Sequence, residues 1–226
     1  MASGKIFQTQ DGSHSILSER YNVPYHSKYG AIQESLHVFI NAGLVHRALG
    51  RTSIAILEIG FGTGLNAFLS LLEAEARKLN IYYEGVEAYP IFMNQAALLN
   101  YPLQIPFASA HAGNFLRLHN SAWEKEHRIN PNFTFLKTNT TFEDYTSAPR
   151  FDVVFFDAFA PNAQPELWEE TIFEKMYNAL LPGGILVTYC AKGVVKRRMK
   201  SVGFEIEAIP GPPGKREMTR GIKPEI

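Results

Sequence analysis

The sequence contains 226 residues, which is enough for one substantial hydrophobic core and does not require a second domain. Its 46% hydrophobic and 19% charged residues are typical of globular proteins and exclude an intrinsically disordered chain. No segment reaches the roughly 18 apolar residues of a membrane span, and the first ten residues lack the apolar core of a signal peptide. The single cysteine, Cys190, excludes an intramolecular disulfide framework, so we expect a cytoplasmic protein.

The formal net charge is zero, but the charges are unevenly distributed along the chain. Residues 191–226 contain nine Lys or Arg and four Asp or Glu, whereas the remainder contains thirteen basic and eighteen acidic residues. A basic C-terminal segment on a neutral protein indicates either a surface for an anionic partner or a solvated helix face. The charge pattern alone leaves both interpretations open.

Hydrophobic periodicity predicts the elements in chain order. An aromatic, polar loop and a helix over about 31–49 form an N-terminal extension of some fifty residues. We predict strands over residues 54–59, 81–87, 133–137, 151–156, 185–189, 205–209 and, in the tail, 217–220. We predict helices over residues 65–78, 91–99, 166–180 and 194–202. The segment from about 103 to 132 is interpreted as an insertion with helical or irregular structure.

Strands that alternate with helices predict an α/β fold. We expect residues 1–226 to form a single domain with a mostly parallel, seven-stranded sheet and helices on both faces. In such sheets ligands bind beyond the carboxyl ends of the strands. The chemistry is therefore expected in the loops that follow Ile59, Val86, Lys137 and Phe156.

A glycine-rich turn follows the strand predicted over 54–59. Gly60, Gly62 and Gly64 recur at every second position after Glu58, and a helix begins at about Leu65. Glycine permits a positive φ and leaves no Cβ between the main chain and a bound molecule. A dinucleotide fingerprint would require glycine in place of Leu65, which disfavours an NAD-dependent oxidoreductase. The spacing instead resembles the first motif of S-adenosylmethionine-dependent methyltransferases.

Two polar residues at the ends of other strands are candidates for holding a cofactor. Glu87 ends the next strand, and a carboxylate there accepts both hydroxyls of a ribose. Its alternative role is that of an exposed turn carboxylate. Asn139 follows the strand over 133–137, where a side chain that reads adenine is expected by position.

The strand over 151–156 delivers Asp157 to its carboxyl end, and the rigid loop 158–161 follows. Amine methyltransferases place an acid or amide here, because the attacked nitrogen needs acceptors that orient its lone pair. An amine with a pKa of about 10 is mostly protonated at neutral pH, and a nearby carboxylate can take that proton. The structural alternative for Asp157 is a turn or a helix cap before Pro165. Phe159 either stacks on adenine or an extruded base, or packs within the loop.

The remaining polar residues show no other site. The seven histidines have no metal-ligand spacing, so no metal is predicted. The sequence also contains no serine-nucleophile elbow and no phosphate-binding loop of the Walker type.

Four motifs occur in order along the chain: YHSKYGAIQESLH over 25–37, LEIGFGTGLN over 57–66, DAFAPNAQPELW over 157–168 and KREM over 215–218. Together they resemble the methyltransferase domain of the MnmC family over about residues 25–221. The resemblance implies a class I S-adenosylmethionine-dependent methyltransferase fold, which is Rossmann-like. It also implies methylation of a 5-aminomethyl group on the wobble uridine of tRNA, with S-adenosylmethionine as cofactor and the tRNA anticodon arm as partner.

The resemblance also implies roles for individual residues. Asp157 matches the acid that orients the amine and lies beside the cofactor. Gln33 and Glu34 fall in an N-terminal motif that is expected to close over the cofactor pocket. The positions that match cofactor-binding strand ends are Glu58, Gly60, Gly62, Gly64, Asn66 and Glu87. The candidate phosphate-contacting cations are Lys192, Lys196, Arg197, Arg198, Lys200, Lys215 and Arg216.

The chain departs from the family pattern in two ways. It has Thr138 and Asn139 where the family often has Gly-Asp. It also has no counterpart of the flavin-dependent oxidase half, so we expect a stand-alone enzyme whose amine substrate is made by another route.

Two other functions remain open at this point. An aminopropyltransferase of the spermidine-synthase type shares the sheet and has two acids five residues apart, as Asp152 and Asp157 are. Against it, the sequence shows no further acid beside Asp157 for a polyamine dication, and Phe159 stands where one would be needed. The other alternative is a non-catalytic tRNA-binding protein that retains the fold.

Overall fold

The computed structural model describes residues 4–225. The strands in this range are β1 Gly4–Gln8, β2 His14–Ser18, β3 Ser53–Ile59, β4 Asn80–Val86, β5 His127–Asn130, β6 Phe133–Thr138, β7 Phe151–Phe156, β8 Leu180–Thr188, β9 Glu205–Pro210 and β10 Glu217–Ile222. The α-helices are α1 Ala31–Ser35, α2 Leu65–Arg77, α3 Met93–Ala96, α4 Tyr101–Gln104, α5 Ala112–Asn120, α6 Glu170–Ala179 and α7 Gly193–Ser201. Helix α1 continues as a π-helix over Leu36–Val45, and short 3₁₀ turns cover Ser109–His111 and Pro165–Trp168.

Within the described range, eight of these strands form one sheet in the order β5-β6-β4-β3-β7-β8-β10-β9. The pairings β3–β4, β3–β7, β4–β6 and β7–β8 are parallel, whereas β5, β10 and β9 are attached by antiparallel pairing. Every residue of β7 is buried, which is typical of a parallel strand covered on both faces. The predicted α/β class and mostly parallel sheet are thereby confirmed.

The core is divided between the two faces of the sheet. Successive residues of β7 point to opposite faces. The Phe155 ring lies 5.4 Å from that of Phe39 on one face, and the Phe156 ring lies 5.1 Å from that of Trp168 on the other. In the part of the chain that the structure describes, no helix is long and apolar enough to cross a membrane.

The structure differs from the sequence prediction in three segments. The N-terminal extension begins with a hairpin in which Gly4–Gln8 pairs with His14–Ser18. The predicted helix over 91–99 is reduced to Met93–Ala96. The inserted segment supplies an eighth strand, His127–Asn130, at the sheet edge. The two hairpin strands and the edge strand are only four or five residues long, so their hydrophobic periods are too short to be recognised in the sequence.

The parallel strands end on the same side of the sheet. The hydrogen bonds between neighbouring strands continue to the residue that follows each strand. The Asp157 N–H donates to the carbonyl of Ile59 at 3.0 Å, and the Gly60 N–H donates to that of Val86 at 3.1 Å. The Glu87 N–H in turn donates to the Thr138 carbonyl at 3.0 Å. Three residues that are distant in sequence are thus held side by side.

Candidate active site

A cleft of about 930 Å³, including its open mouth, lies beyond the carboxyl ends of the parallel strands. It is lined by the glycine turn after β3, by residues 87–89 after β4 and by residues 157–159 after β7. The loop between β2 and α1 contributes Tyr21, Tyr25 and His26. The location agrees with the expected position of ligands in an open α/β sheet.

Positive φ values and close packing explain two of the glycines in the turn. Gly60 has a φ of +94°, and a Cβ there would lie 2.7 Å from the carbonyl oxygen of Asp157. Gly62 has a φ of +50°, and its Cβ would lie 3.0 Å from the Tyr25 ring. Both glycines line the cleft, so the main chain itself forms part of its surface. Gly64, where α2 begins, is outside that lining and packs against His119.

The side-chain amide of Asn66 joins two carboxyl groups. Its Nδ2 donates to Oε1 of Glu58 at 2.9 Å and to Oδ2 of Asp157 at 2.8 Å. Burial and the charge of Asp157 raise the pKa of the Glu58 carboxyl well above its usual range, which favours its neutral form. Oδ1 of Asn66 is buried and has no hydrogen-bond partner among the described residues.

Asp157 has a strongly shifted pKa. Burial and, secondarily, the charge of Glu34 raise the pKa of Asp157 to about 7, while the hydrogen bond from Asn66 and the charge of Lys215 act in the opposite direction. A carboxyl group with a pKa near the working pH exchanges protons in both directions at low cost. Asp157 therefore has the protonation behaviour of a general base.

Glu87 uses both carboxylate oxygens to fix the backbone around the cleft. Oε2 accepts from the Gly62 N–H at 2.9 Å, and Oε1 accepts from the Tyr89 N–H at 2.8 Å. Burial raises the pKa of Glu87, and these backbone hydrogen bonds oppose the shift. Each oxygen keeps a further acceptor position, so the side chain can hold two ligand hydroxyls.

Aromatic side chains from the N-terminal segment cover one side of the cleft. The Phe159 ring lies 4.8 Å from the Tyr21 ring and 5.0 Å from the Tyr25 ring. Arg20 stacks on the Tyr89 ring, with its guanidinium carbon 3.8 Å from the ring centroid. The N-terminal segment thus contacts the loops after both β4 and β7. The aromatic loop is recognisable in the sequence, but no sequence pattern assigns a role to Arg20, Tyr21 or Tyr89.

Four predicted cofactor contacts do not line the cleft: Gln33, Glu58, Gly64 and Asn139. Gln33 is exposed on α1, where its backbone N–H donates to Asp11 at 3.0 Å. Asn139 is exposed, and its Nδ2 donates to the Glu87 carbonyl at 2.7 Å, so it supports the backbone after β4. The cleft is lined instead by Thr141 and Phe142, which follow Asn139 by two and three residues.

The predicted cations separate into two groups. Lys196 pairs with Glu217 at 2.6 Å, Arg198 pairs with Glu169 at 2.8 Å, and Lys215 pairs with Glu34 at 2.6 Å. The other members are exposed at the surface: Lys192, Arg197, Lys200 and Arg216. Among residues 4–225, no group of three or more His, Cys, Asp or Glu side chains is arranged to hold a metal ion.

Sequence comparison adds family evidence to this geometry. A family model described as S-adenosyl-L-methionine-dependent methyltransferase matches residues 112–224, which is half of the chain. The tRNA 5-methylaminomethyl-2-thiouridine biosynthesis bifunctional protein MnmC of Aromatoleum aromaticum is 32% identical over 225 residues, covering 94% of this chain and 34% of that protein. The protein of the same name from Marinomonas is 31% identical over 215 residues, and the match covers 90% of this chain and 32% of that protein. The chain thus spans about a third of these relatives.

Comparison with solved structures supports the fold. The crystal structure of MnmC2 from Aquifex aeolicus superposes with a TM-score of 0.79 at 24% identity, covering 100% of this chain and 72% of that one. Spermidine synthase from Thermotoga maritima gives a TM-score of 0.56 at 13% identity, covering 99% of this chain and 71% of that one. Both likenesses show a shared class I fold. With a matching family model, a glycine turn and an acid at the end of β7, the chain belongs to the S-adenosyl-L-methionine-dependent methyltransferases as a methyltransferase domain of the MnmC type.

Proposed function

We propose that this protein methylates the amino group of 5-aminomethyl-(2-thio)uridine at the tRNA wobble position, giving 5-methylaminomethyl-(2-thio)uridine. The names of the MnmC relatives support this substrate. The observation that carries the proposal is the Asp157 carboxyl group, which lines the cleft beside the glycine turn with a pKa of about 7. The proposed location is the cytoplasm, where the buried Cys190 would remain reduced.

The residues of the cleft fit S-adenosylmethionine, which supplies an electrophilic methyl group when it is bound. Gly60 and Gly62 expose main chain that a side chain would otherwise cover. Glu87 has acceptor positions for both ribose hydroxyls. The unpartnered Oδ1 of Asn66 is a buried acceptor that suits an ammonium group.

Asp157 prepares the amine for methylation. An alkylamine with a pKa of about 10 carries its proton at pH 7, and exposing its lone pair costs roughly 4 kcal/mol. Asp157 can accept this proton, because its own pKa of about 7 leaves a large ionised fraction at neutral pH. The hydrogen bond from Asn66 fixes Oδ2, so the other oxygen is left to orient the nitrogen.

Aromatic rings beside Asp157 suit a nucleobase. Phe159, Tyr21 and Tyr25 all line the cleft, and both tyrosine rings contact the ring of Phe159. Enzymes that modify bases hold an unstacked base against such rings. We therefore assign the recognition of the uracil ring to these three residues.

Replacing Glu87 by glutamine is expected to weaken the binding of S-adenosylmethionine by roughly 10–100-fold, since hydrogen bonds to a charged group contribute about 1.5–3 kcal/mol. The glutamine amide would also face a backbone N–H of Gly62 or Tyr89 that now donates to Glu87. Calorimetric titration with S-adenosylmethionine measures the change. Glu84→Gln on the preceding strand, β4, is the control, because Glu84 is also buried but pairs with Arg150. Equal affinity of the two variants would contradict the ribose role of Glu87.

The exposed cations near α7 and β10 are proposed to contact tRNA phosphates. Arg197→Gln and Arg216→Gln should each weaken tRNA binding at low salt and reduce the slope of log affinity against log salt by about one. Fluorescence anisotropy over a series of salt concentrations gives the slope. Arg128→Gln serves as control, since this exposed arginine lies on β5 at the opposite edge of the sheet. A slope that changes equally in all three variants would show non-specific attraction.

The test of the proposed function is an assay with labelled S-adenosylmethionine and tRNA that carries 5-aminomethyl-2-thiouridine, followed by mass spectrometry of the nucleosides. The expected result is the gain of one methyl group on the wobble nucleoside. The same tRNA with an unmodified wobble uridine is the control substrate. Cofactor binding without any methyl gain would overturn the assignment, and transfer to putrescine from the decarboxylated cofactor would favour an aminopropyltransferase.

A further inference from the structure

A lysine–glutamate ion pair lies close to Asp157 without lining the cleft. Nζ of Lys215, in the turn between β9 and β10, is 2.6 Å from Oε1 of Glu34 on α1. Glu34 is buried, and Lys215 is one-third exposed. We propose that this ion pair sets the charge state of Asp157 and that Lys215 is thereby a positioning residue for the reaction. The inference rests on the proposed function for its catalytic consequence.

The contacts of the pair extend towards Ala158, through the Tyr189 ring, and to the loop between β2 and α1. Nζ of Lys215 lies 3.9 Å from the centroid of the Tyr189 ring, and the Tyr189 hydroxyl donates to the carbonyl of Ala158 at 2.8 Å. Ala158 directly follows Asp157. Oε2 of Glu34 accepts from the Ser27 N–H at 2.9 Å, which anchors the loop that covers the cleft. Lys215 and Glu34 thus each have a contact besides the ion pair that fixes their position next to the cleft.

The two partners act on Asp157 with opposite signs. The negative charge of Glu34 raises the pKa of Asp157, and the positive charge of Lys215 lowers it. Glu58 faces Asp157 from β3, but its own raised pKa favours the neutral form. The other titratable side chains whose interactions reach Asp157 are phenols with raised pKa values: Tyr83, Tyr101 and Tyr189. In the described part of the chain, Glu34 and Lys215 are thus the charged groups that control it.

This arrangement predicts that removing the charge of Lys215 and removing the charge of Glu34 shift the pKa of Asp157 in opposite directions. In Lys215→Met the charge of Glu34 is left uncompensated, so Asp157 holds its proton to higher pH. In Glu34→Gln the charge of Lys215 is left uncompensated, so Asp157 loses its proton at lower pH. If the salt bridge had only a structural role, both variants would change the pKa of Asp157 in the same direction or leave it unchanged.

The experiment measures the acidic limb of the pH–rate profile for methyl transfer. Lys215→Met is expected to move the limb to higher pH, and Glu34→Gln to lower pH, each by roughly half a unit or more. Lys215→Arg should restore the position of the wild-type limb. Lys215→Gln serves as a second variant in case Lys215→Met does not fold, and it should shift the limb in the same direction.

The Arg220–Glu207 pair between β10 and β9 provides matched controls, because its charged atoms are also 2.6 Å apart. Arg220→Met and Glu207→Gln should leave the limb where it is in the wild type. A carbon-13 NMR titration of the Asp157 carboxyl group in the free protein reports the same shifts without requiring activity. Opposite NMR shifts in a protein that methylates no tRNA would overturn the proposed function alone. Shifts of equal sign, or no shifts, would overturn the inference.

Discussion

Replacing Asp157 by asparagine is expected to lower the rate of methyl transfer by about 10²–10⁴-fold, which is the usual contribution of a general base. Asparagine has the shape of aspartate, and its carbonyl oxygen can still accept the hydrogen bond from Asn66. It cannot take a proton from the substrate amine. Affinity for S-adenosylmethionine should therefore change little while turnover is lost. Single-turnover rates and calorimetric titration separate the two quantities.

A matched control for this variant lies on the same strand. Asp152 is also buried, but it lies at the other end of β7. Its carboxylate pairs with Arg51 at 3.1 Å and accepts a hydrogen bond from the backbone N–H of Ala55. Asp152→Asn should alter stability and leave the rate of the folded enzyme unchanged. An Asp157→Asn protein with the wild-type rate would contradict the assignment of Asp157 as the general base. In the wild type, the rate should fall about tenfold per unit as the pH drops below the Asp157 pKa of about 7.

Replacing Gly60 by alanine is expected to reduce affinity for S-adenosylmethionine by at least about tenfold, equivalent to 1.4 kcal/mol. A methyl group at this position would lie 2.7 Å from the Asp157 carbonyl oxygen, which is too close for any Cβ. The turn or the end of β7 must therefore move, and both line the cleft. The positive φ of +94° adds backbone strain of roughly 1–3 kcal/mol. Calorimetric titration and thermal unfolding measure the two effects.

Gly50 allows the strain to be separated from the close approach. Its φ is +73°, and a Cβ there would meet no atom within 4 Å. Gly50→Ala should thus lower stability through backbone strain alone and leave cofactor affinity unchanged. If both variants lost affinity equally, the proximity of Gly60 to Asp157 would have no part in binding.

The sequence predicted those parts of the site that depend on local pattern. The apolar strands β3, β4 and β7 each end at the polar or glycine residue that was singled out, and Gly60, Glu87 and Asp157 line one cleft. Parallel pairing explains why these residues lie together, because neighbouring strands of one direction bring their carboxyl ends to the same side of the sheet. The α/β class followed from the same alternation of elements.

The sequence could not predict contacts between distant segments. Asn66 contacts an acid 91 residues away, and Lys215 contacts one 181 residues away. In the N-terminal motif, Gln33 is exposed whereas its neighbour Glu34 is buried. Adjacent positions on a helix point about 100° apart, so a motif without a known packing face does not show which residue turns inward.

The sheet ends with two strands of reversed direction, and this reversal determines which part of the chain reaches the reactive carboxylate. β10 lies between β8 and β9 and runs antiparallel to both, so its first residues stand beside the last residues of β8. The turn that precedes β10 carries Lys215 to the edge where the parallel strands finish. An uninterrupted parallel sheet would have left that turn on the far side of the molecule. If Asp157 acts as we propose, its acidity is consequently adjustable by changes in the β9–β10 hairpin, which does not line the cleft.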